Sequence, residues 1–167
     1  MDLGTAHVLA AVVALVLGCV VLLRRKGDAW HVRLGRVYVV TMLAVSVPVL
    51  FVFDIDGRPG PFHVLAVVSL LTTGLGLLAV RRRGRALSGV AAHGTFMVWS
   101  WIGVVTAGLA QAANHRWPGA SPWPVLAVVG LATVAGALAV PRVVARGLPV
   151  RRDPGRPYLP SRPPAAP

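Results

Sequence analysis

Along the chain, long apolar runs alternate with short polar breaks, and the runs have the length of membrane spans rather than of soluble helices. The first, Thr5 to Leu23, contains 19 residues whose only ionisable groups are His7 and Cys19. At about 1.5 Å per residue it reaches roughly 28 Å, close to the hydrocarbon thickness of a bilayer. Four more runs follow, from Val37 to Phe53, Phe62 to Val80, about Val90 to Ala113, and Trp123 to Val140. The pattern predicts an all-α integral membrane bundle of five transmembrane helices, a four-helix up-down core plus a fifth helix.

The breaks sharpen this reading. Pro48 interrupts the second run and predicts a kink there, which membrane helices tolerate when neighbouring groups satisfy the freed carbonyl. Asp54 to Pro61 has turn chemistry. Its Asp-x-Asp-Gly fragment resembles the start of a calcium loop but lacks the remaining ligands, so a solvated turn is expected. Pro141 is expected to stop the fifth run. From Leu148 onward, seven prolines and four arginines in twenty residues leave little to bury, which predicts a disordered tail over residues 148–167 after a membrane domain of residues 1–147.

Composition agrees: 56% hydrophobic residues, 13% charged residues and a mean hydropathy of +0.71 describe a chain solvated largely by lipid. The charge carries topology. Of the 17 cations, 15 fall in the first break (Arg24, Arg25, Lys26, Arg33, Arg36), the third break and the C-terminal segment, leaving only Arg58 and Arg116 on the other side. The positive-inside rule then places the N-terminus outside and the C-terminus in the cytoplasm of a cell membrane. An uncleaved first helix is expected, because Asp2 precedes the run where a signal peptide would carry its cations. The net charge of +12 does not indicate nucleic-acid binding, since no basic patch interleaved with stacking aromatics lies in a soluble domain. It suits attraction to anionic lipid.

Much conventional chemistry has no residues to carry it. No acid lies within a span, and the chain has no HExxH, P-loop or GxSxG motif, so the common hydrolase, NTPase and carboxylate-coupled transporter sites are missing. Cys19, alone and mid-span, reads as a small hydrophobe. Trp30, Trp117 and Trp123 fall at expected interfaces. Gly74, Gly76, Gly103 with Ala107, and Gly130 with Gly136 read as close-packing positions.

The histidines stand apart. His7, His31, His63 and His93 lie in or near the first turn of successive predicted helices, while His115 breaks the series. Because the helices alternate direction, His7 and His63 fall near the outer surface and His31 and His93 near the inner one. Helices one and three, and two and four, are diagonal in an up-down bundle, so each pair can face a common centre. Two facing neutral imidazoles suit axial ligation of haem b. Below His7, the face Ala10, Ala11, Ala14, Gly18 leaves room for a macrocycle or a close helix; below His93 come Met97, Ser100 and Trp101. Arg33 and Arg36 are candidate propionate contacts. Each feature has a structural counterpart: interfacial histidines, packing alanines and topology-setting arginines. Zinc or copper on such a pair would lack supporting cysteine or carboxylate.

The segment His31-Val-Arg-Leu-Gly35-Arg-Val-Tyr38 with Met42, the pair Phe62-His63, and His93 with Met97 followed by Ala107-Gly108 resemble the bacterial membrane family called domain of unknown function 2306. The resemblance covers about Trp30 to Ala113 and implies a short multi-helix membrane protein without an established activity. Where that family tends to end its fourth helix in Pro-Gly-Arg, this chain has Asn114-His-Arg-Trp-Pro-Gly119. The histidine arrangement is also similar to that of cytochrome b561-like proteins, by analogy of placement alone.

Two classes of function follow. In one, the chain is a b-type-cytochrome-like transmembrane electron carrier with a histidine pair on each face, working with membrane redox partners. In the other, it is a structural or partner-binding membrane protein, or a small-solute permease, without a cofactor; the permease rests on the Pro48 kink.

Overall fold

The computed structural model describes residues 3–52, 59–83, 87–116 and 123–147. The calcium-like turn residues Asp54 and Asp56, Arg58, Arg85, Trp117 and the Pro/Arg-rich tail lie outside them.

Five helices follow one another: α1 (Leu3–Leu23), α2 (Ala29–Val49), α3 (Pro61–Arg83), α4 (Leu87–Arg116) and α5 (Trp123–Gly147). Each is long and apolar enough to cross a bilayer. No strand occurs among the described residues. The chain is therefore an all-helical membrane protein.

The helices pack in a ring of four. α1 touches α2, α2 touches α3, α3 touches α4, and α4 closes back on α1, while α5 packs on α4 alone. Among the described residues the diagonals α1/α3 and α2/α4 make no close backbone approach. This is the expected up-down core, with α5 lying against it.

α4 is the hub, and glycines on its neighbours admit it. A Cβ at Gly18 of α1 would overlap the Trp101 indole, whose Nε1 donates to the Leu15 carbonyl at 3.0 Å. On α3, a Cβ at Gly76 would stand 2.9 Å from Met97 Sδ; on α5, one at Gly136 would meet Trp99 and Ile102 at 3.0 Å. Gly103 of α4 itself faces the Ser69 hydroxyl. Gly74 and Gly130 have open space around them. In lipid there is no hydrophobic drive to bring helices together, so such close van der Waals contact and polar bonds must do it. The buried interior is correspondingly rich in hydroxyls: Ser46, Ser69, Thr73, Ser100 and Thr106, beside Ala14, Tyr38, Met42 and Val104.

Helix ends differ from those expected in two places. α2 begins at Ala29, eight residues before the apolar run, because Asp28 caps it: its Oδ1 accepts from the His31 N–H at 2.6 Å. At its far end α2 stops at Val49, and the Leu50 and Phe51 N–H groups turn back to the Val47 and Pro48 carbonyls at 3.1 Å. Pro48 thus sits in the last turn and closes the helix where a mid-span kink was expected. Pro141, expected to stop α5, is instead crossed, and the helix runs on to Gly147. The turn lacking the proline N–H carries a bond from the Arg142 side chain to the Leu138 carbonyl.

Candidate functional site

At the cation-rich end of the bundle, α2 and α4 begin and α1 and α3 end. His31 is the third residue of α2, and its buried face continues through Tyr38 and Met42. His93 lies in the second turn of α4. The two rings are close enough to interact electrostatically. Seven residues further along each helix, Tyr38 and Ser100 meet through their hydroxyls at 2.9 Å. The two pairs share one offset in sequence, so α2 and α4 run parallel and in step across the diagonal over two helical turns, about 10 Å.

The hydrogen bonds around His93 define its tautomer. Its Nδ1 lies 2.9 Å from the Gly76 carbonyl, which can only accept, so Nδ1 carries the proton and Nε2 of the neutral ring keeps a lone pair. A backbone carbonyl holding Nδ1–H is the usual support of a metal-ligating histidine. The Nδ1 of His31 is shielded from solvent and has no hydrogen-bond partner. Lys26 and Asp28 complete the charged surroundings of His31.

The other end is built differently. The Gly60 N–H donates to His63 Nδ1 at 3.1 Å, which leaves the proton of a neutral ring on Nε2, the reverse of His93. His7 is half-buried on α1, diagonal to α3. The face Ala10, Ala11, Ala14, Gly18, expected to admit a macrocycle or a close helix, takes helix packing at its lower end: Trp101 lies on Gly18, and Ala14 is fully buried in a cluster with Tyr38, Met42 and Val104. Of the two expected pairs, His31 and His93 lie within electrostatic reach of each other. His115, in the last turn of α4, is exposed.

Arg33 and Arg36 lie on the opposite side of α2 from His31 and are exposed. The Arg33 guanidinium stacks over the Trp30 ring, 5.7 Å from its centroid. That placement turns both arginines outward from the histidine pair. Below the pair, a small apolar cavity of about 20 Å³ is lined by Gly18, Val21, Leu22, Tyr38, Met97 and Trp101. Among the described residues no three His, Cys, Asp or Glu side chains gather as a metal cage.

The profile of a family described as a predicted membrane protein, DUF2306, matches residues 4–145. The chain belongs to the DUF2306 family. No curated protein and no solved structure gives a significant match. The match takes in all four ring helices and almost all of α5, beyond the Trp30 to Ala113 stretch where the motif residues lie. For this DUF2306 protein the motif residues acquire places: His31 and His93 at one end of the diagonal, Tyr38 bonded across it, Met97 against Gly76, and Gly35 with open space around it. Ser100 and Trp101 are the contacts that sequence alone left unranked. Their signal was present, since both lie within two turns of His93 on the same helix.

Proposed function

We propose that this DUF2306 protein is a membrane-embedded, haem-binding electron-transfer protein whose ligands are His31 and His93, with the cation-rich end of the bundle facing the cytoplasm. The observation that carries the reading is that two imidazoles from diagonal helices lie within electrostatic reach of each other, one of them held as the Nδ1–H tautomer by Gly76. The donor chemistry fits a b-type iron, which takes up and gives up one electron without asking either imidazole to change its charge. His93 offers Nε2 while Gly76 holds the ring from turning. His31 supplies the second imidazole from a helix start fixed by the Asp28 cap. Tyr38 and Ser100 tie the two helices together two turns further in, so the separation of the two rings is held from below.

The pairing of His7 with His63 as a second site is not carried further, because His63 Nδ1 is committed as an acceptor to Gly60. The permease reading loses its support with Pro48 in the last turn of α2.

The test is a reduced-minus-oxidised absorption spectrum of the full chain, purified in mild detergent from a haem-replete host. A Soret and alpha band that His31→Ala and His93→Ala each abolish, while His63→Ala leaves them in place, is the expected result. A colourless, well-inserted protein would sink the proposal and leave a scaffold without cofactor. Orientation is checked with reporters fused to each terminus; a C-terminal reporter active outside the cytoplasm would reverse it.

A further inference from the structure

The outward face of α2 is built for a different partner from the histidine pair. Trp30, Arg33, Arg36, Val37 and Val40 are all exposed there, on the side away from Tyr38 and Met42. Two arginines three residues apart on one helical face are neighbours. Neither takes part in a described ion pair. Among the described residues the one acid is Asp28, and it is occupied: Oδ1 caps α2, and Oδ2 lies 3.7 Å from Arg24.

Direction matters as much as charge. Side chains on a helix lean toward its N-terminus, and the N-terminus of α2 lies at the cation-rich end. Both guanidinium groups therefore lean back toward the cation-rich end of the bundle, while Val37 and Val40, 51% and 66% exposed, lie further along the candidate span. Trp30, 56% exposed and second in the candidate span, holds a position that suits an amphipathic ring at a membrane interface, and Arg33 stacks on it. The other cations at this end are used or differently placed: Lys26 Nζ donates to the Val21 and Leu22 carbonyls at 2.9 and 2.6 Å, and Arg142 binds its own helix.

We infer that Trp30, Arg33 and Arg36 form a seat for an anionic diacyl phospholipid, the two guanidinium forks holding its phosphodiester and Val37 and Val40 receiving an acyl chain. The occupant follows from complementarity. An unpaired dicationic face with apolar surface directly beneath it matches a molecule that carries a phosphate above two hydrocarbon chains. A soluble acidic protein would leave Val37 and Val40 unmatched. This seat is independent of whether a haem is bound.

The experiment is native mass spectrometry of the full chain in mild detergent, titrated in parallel with a phosphatidylglycerol and a phosphatidylcholine of identical acyl chains. The wild type is expected to retain phosphatidylglycerol in preference, unaffected by added inorganic phosphate. The double variant R33Q/R36Q should lose roughly thirtyfold in its retention, from the loss of two basic contacts near the surface. The control R81Q/R82Q, exposed at the end of α3, should change little. Because Arg33 and Arg36 contribute no described core contact, the double variant should keep its helical circular dichroism. Equal retention of the two lipids by the wild type, displacement by phosphate, or an equal loss in the α3 control would each overturn the proposal.

Discussion

The hydroxyl of Tyr38 donates to Ser100 Oγ at 2.9 Å across the diagonal of the bundle. The direction is fixed because Ser100 spends its own proton on the Met97 carbonyl at 2.8 Å. Both side chains are buried, with 2% and 0% exposure. α2 and α4, whose backbones do not approach closely, are thus joined through one side-chain bond in a medium that offers no competing water.

Removing either partner should show an asymmetry. Tyr38→Phe deletes the donor and leaves Ser100 satisfied by Met97, so its cost should be near the interhelical value of about 0.6–1.7 kcal/mol. Ser100→Ala strands a buried phenol hydroxyl and should cost about 1–3 kcal/mol. Unfolding in mixed micelles by increasing sodium dodecyl sulfate gives both values and their coupling. Additive losses would mean that the bond contributes nothing.

A second expectation concerns the glycines that admit α4. At Gly18 an added methyl meets the rigid Trp101 indole, whose position is also held by the Leu15 carbonyl; at Gly76 it meets the flexible end of Met97. Gly18→Ala should therefore cost about 1–3 kcal/mol by overpacking, and Gly76→Ala less, since a thioether shifts where an indole does not. The same micelle titration ranks them. A larger loss at Gly76 would place the critical contact on α3 instead of α1.

The five spans and their alternating packing were legible in the sequence because lipid demands continuous apolar helices, and length with hydropathy is a direct reading of that demand. The ends of α2 were not. Arg33 and Arg36 interrupt the apolar run and look like loop, yet helical geometry turns both outward, and the Asp28 cap starts the helix eight residues early. Pro48 and Pro141 misled in opposite senses, since a proline alone does not say whether its turn will be the last. At the site, a histidine in or near the first turn of each of four successive helices suggested two equivalent pairs. What separates them is which backbone group each Nδ1 meets, Gly76 O or Gly60 N–H, and that is a tertiary fact with no local signature.

Lys26 sets a pH dependence. Partial burial against the end of α1 lowers its pKa from the ordinary 10.5. As pH rises, the folded chain releases this proton before the unfolded chain does, so the unfolded state binds more protons and stability increases with pH up to about 10.5. Below the folded-state value the contribution is flat. Lys26→Met should remove this part of the alkaline rise in a thermal melt followed by circular dichroism. An unchanged slope in the variant would assign the rise to another group.

The fifth helix gives the last expectation. Among the described residues α5 touches α4 alone, and Gly136 packs tightly against Trp99 and Ile102. Gly136→Leu places a branched side chain where even a Cβ stands at 3.0 Å, so α5 should be pushed outward at a cost of about 1–3 kcal/mol. The ring of four helices closes without α5, through α1 on α4, so the Tyr38–Ser100 coupling should survive. Trp99 would then become more accessible to brominated lipid, and its fluorescence more strongly quenched. If the coupling collapsed together with the α5 contact, the fifth helix would have to be counted as part of the core, and the histidine pair would depend on it.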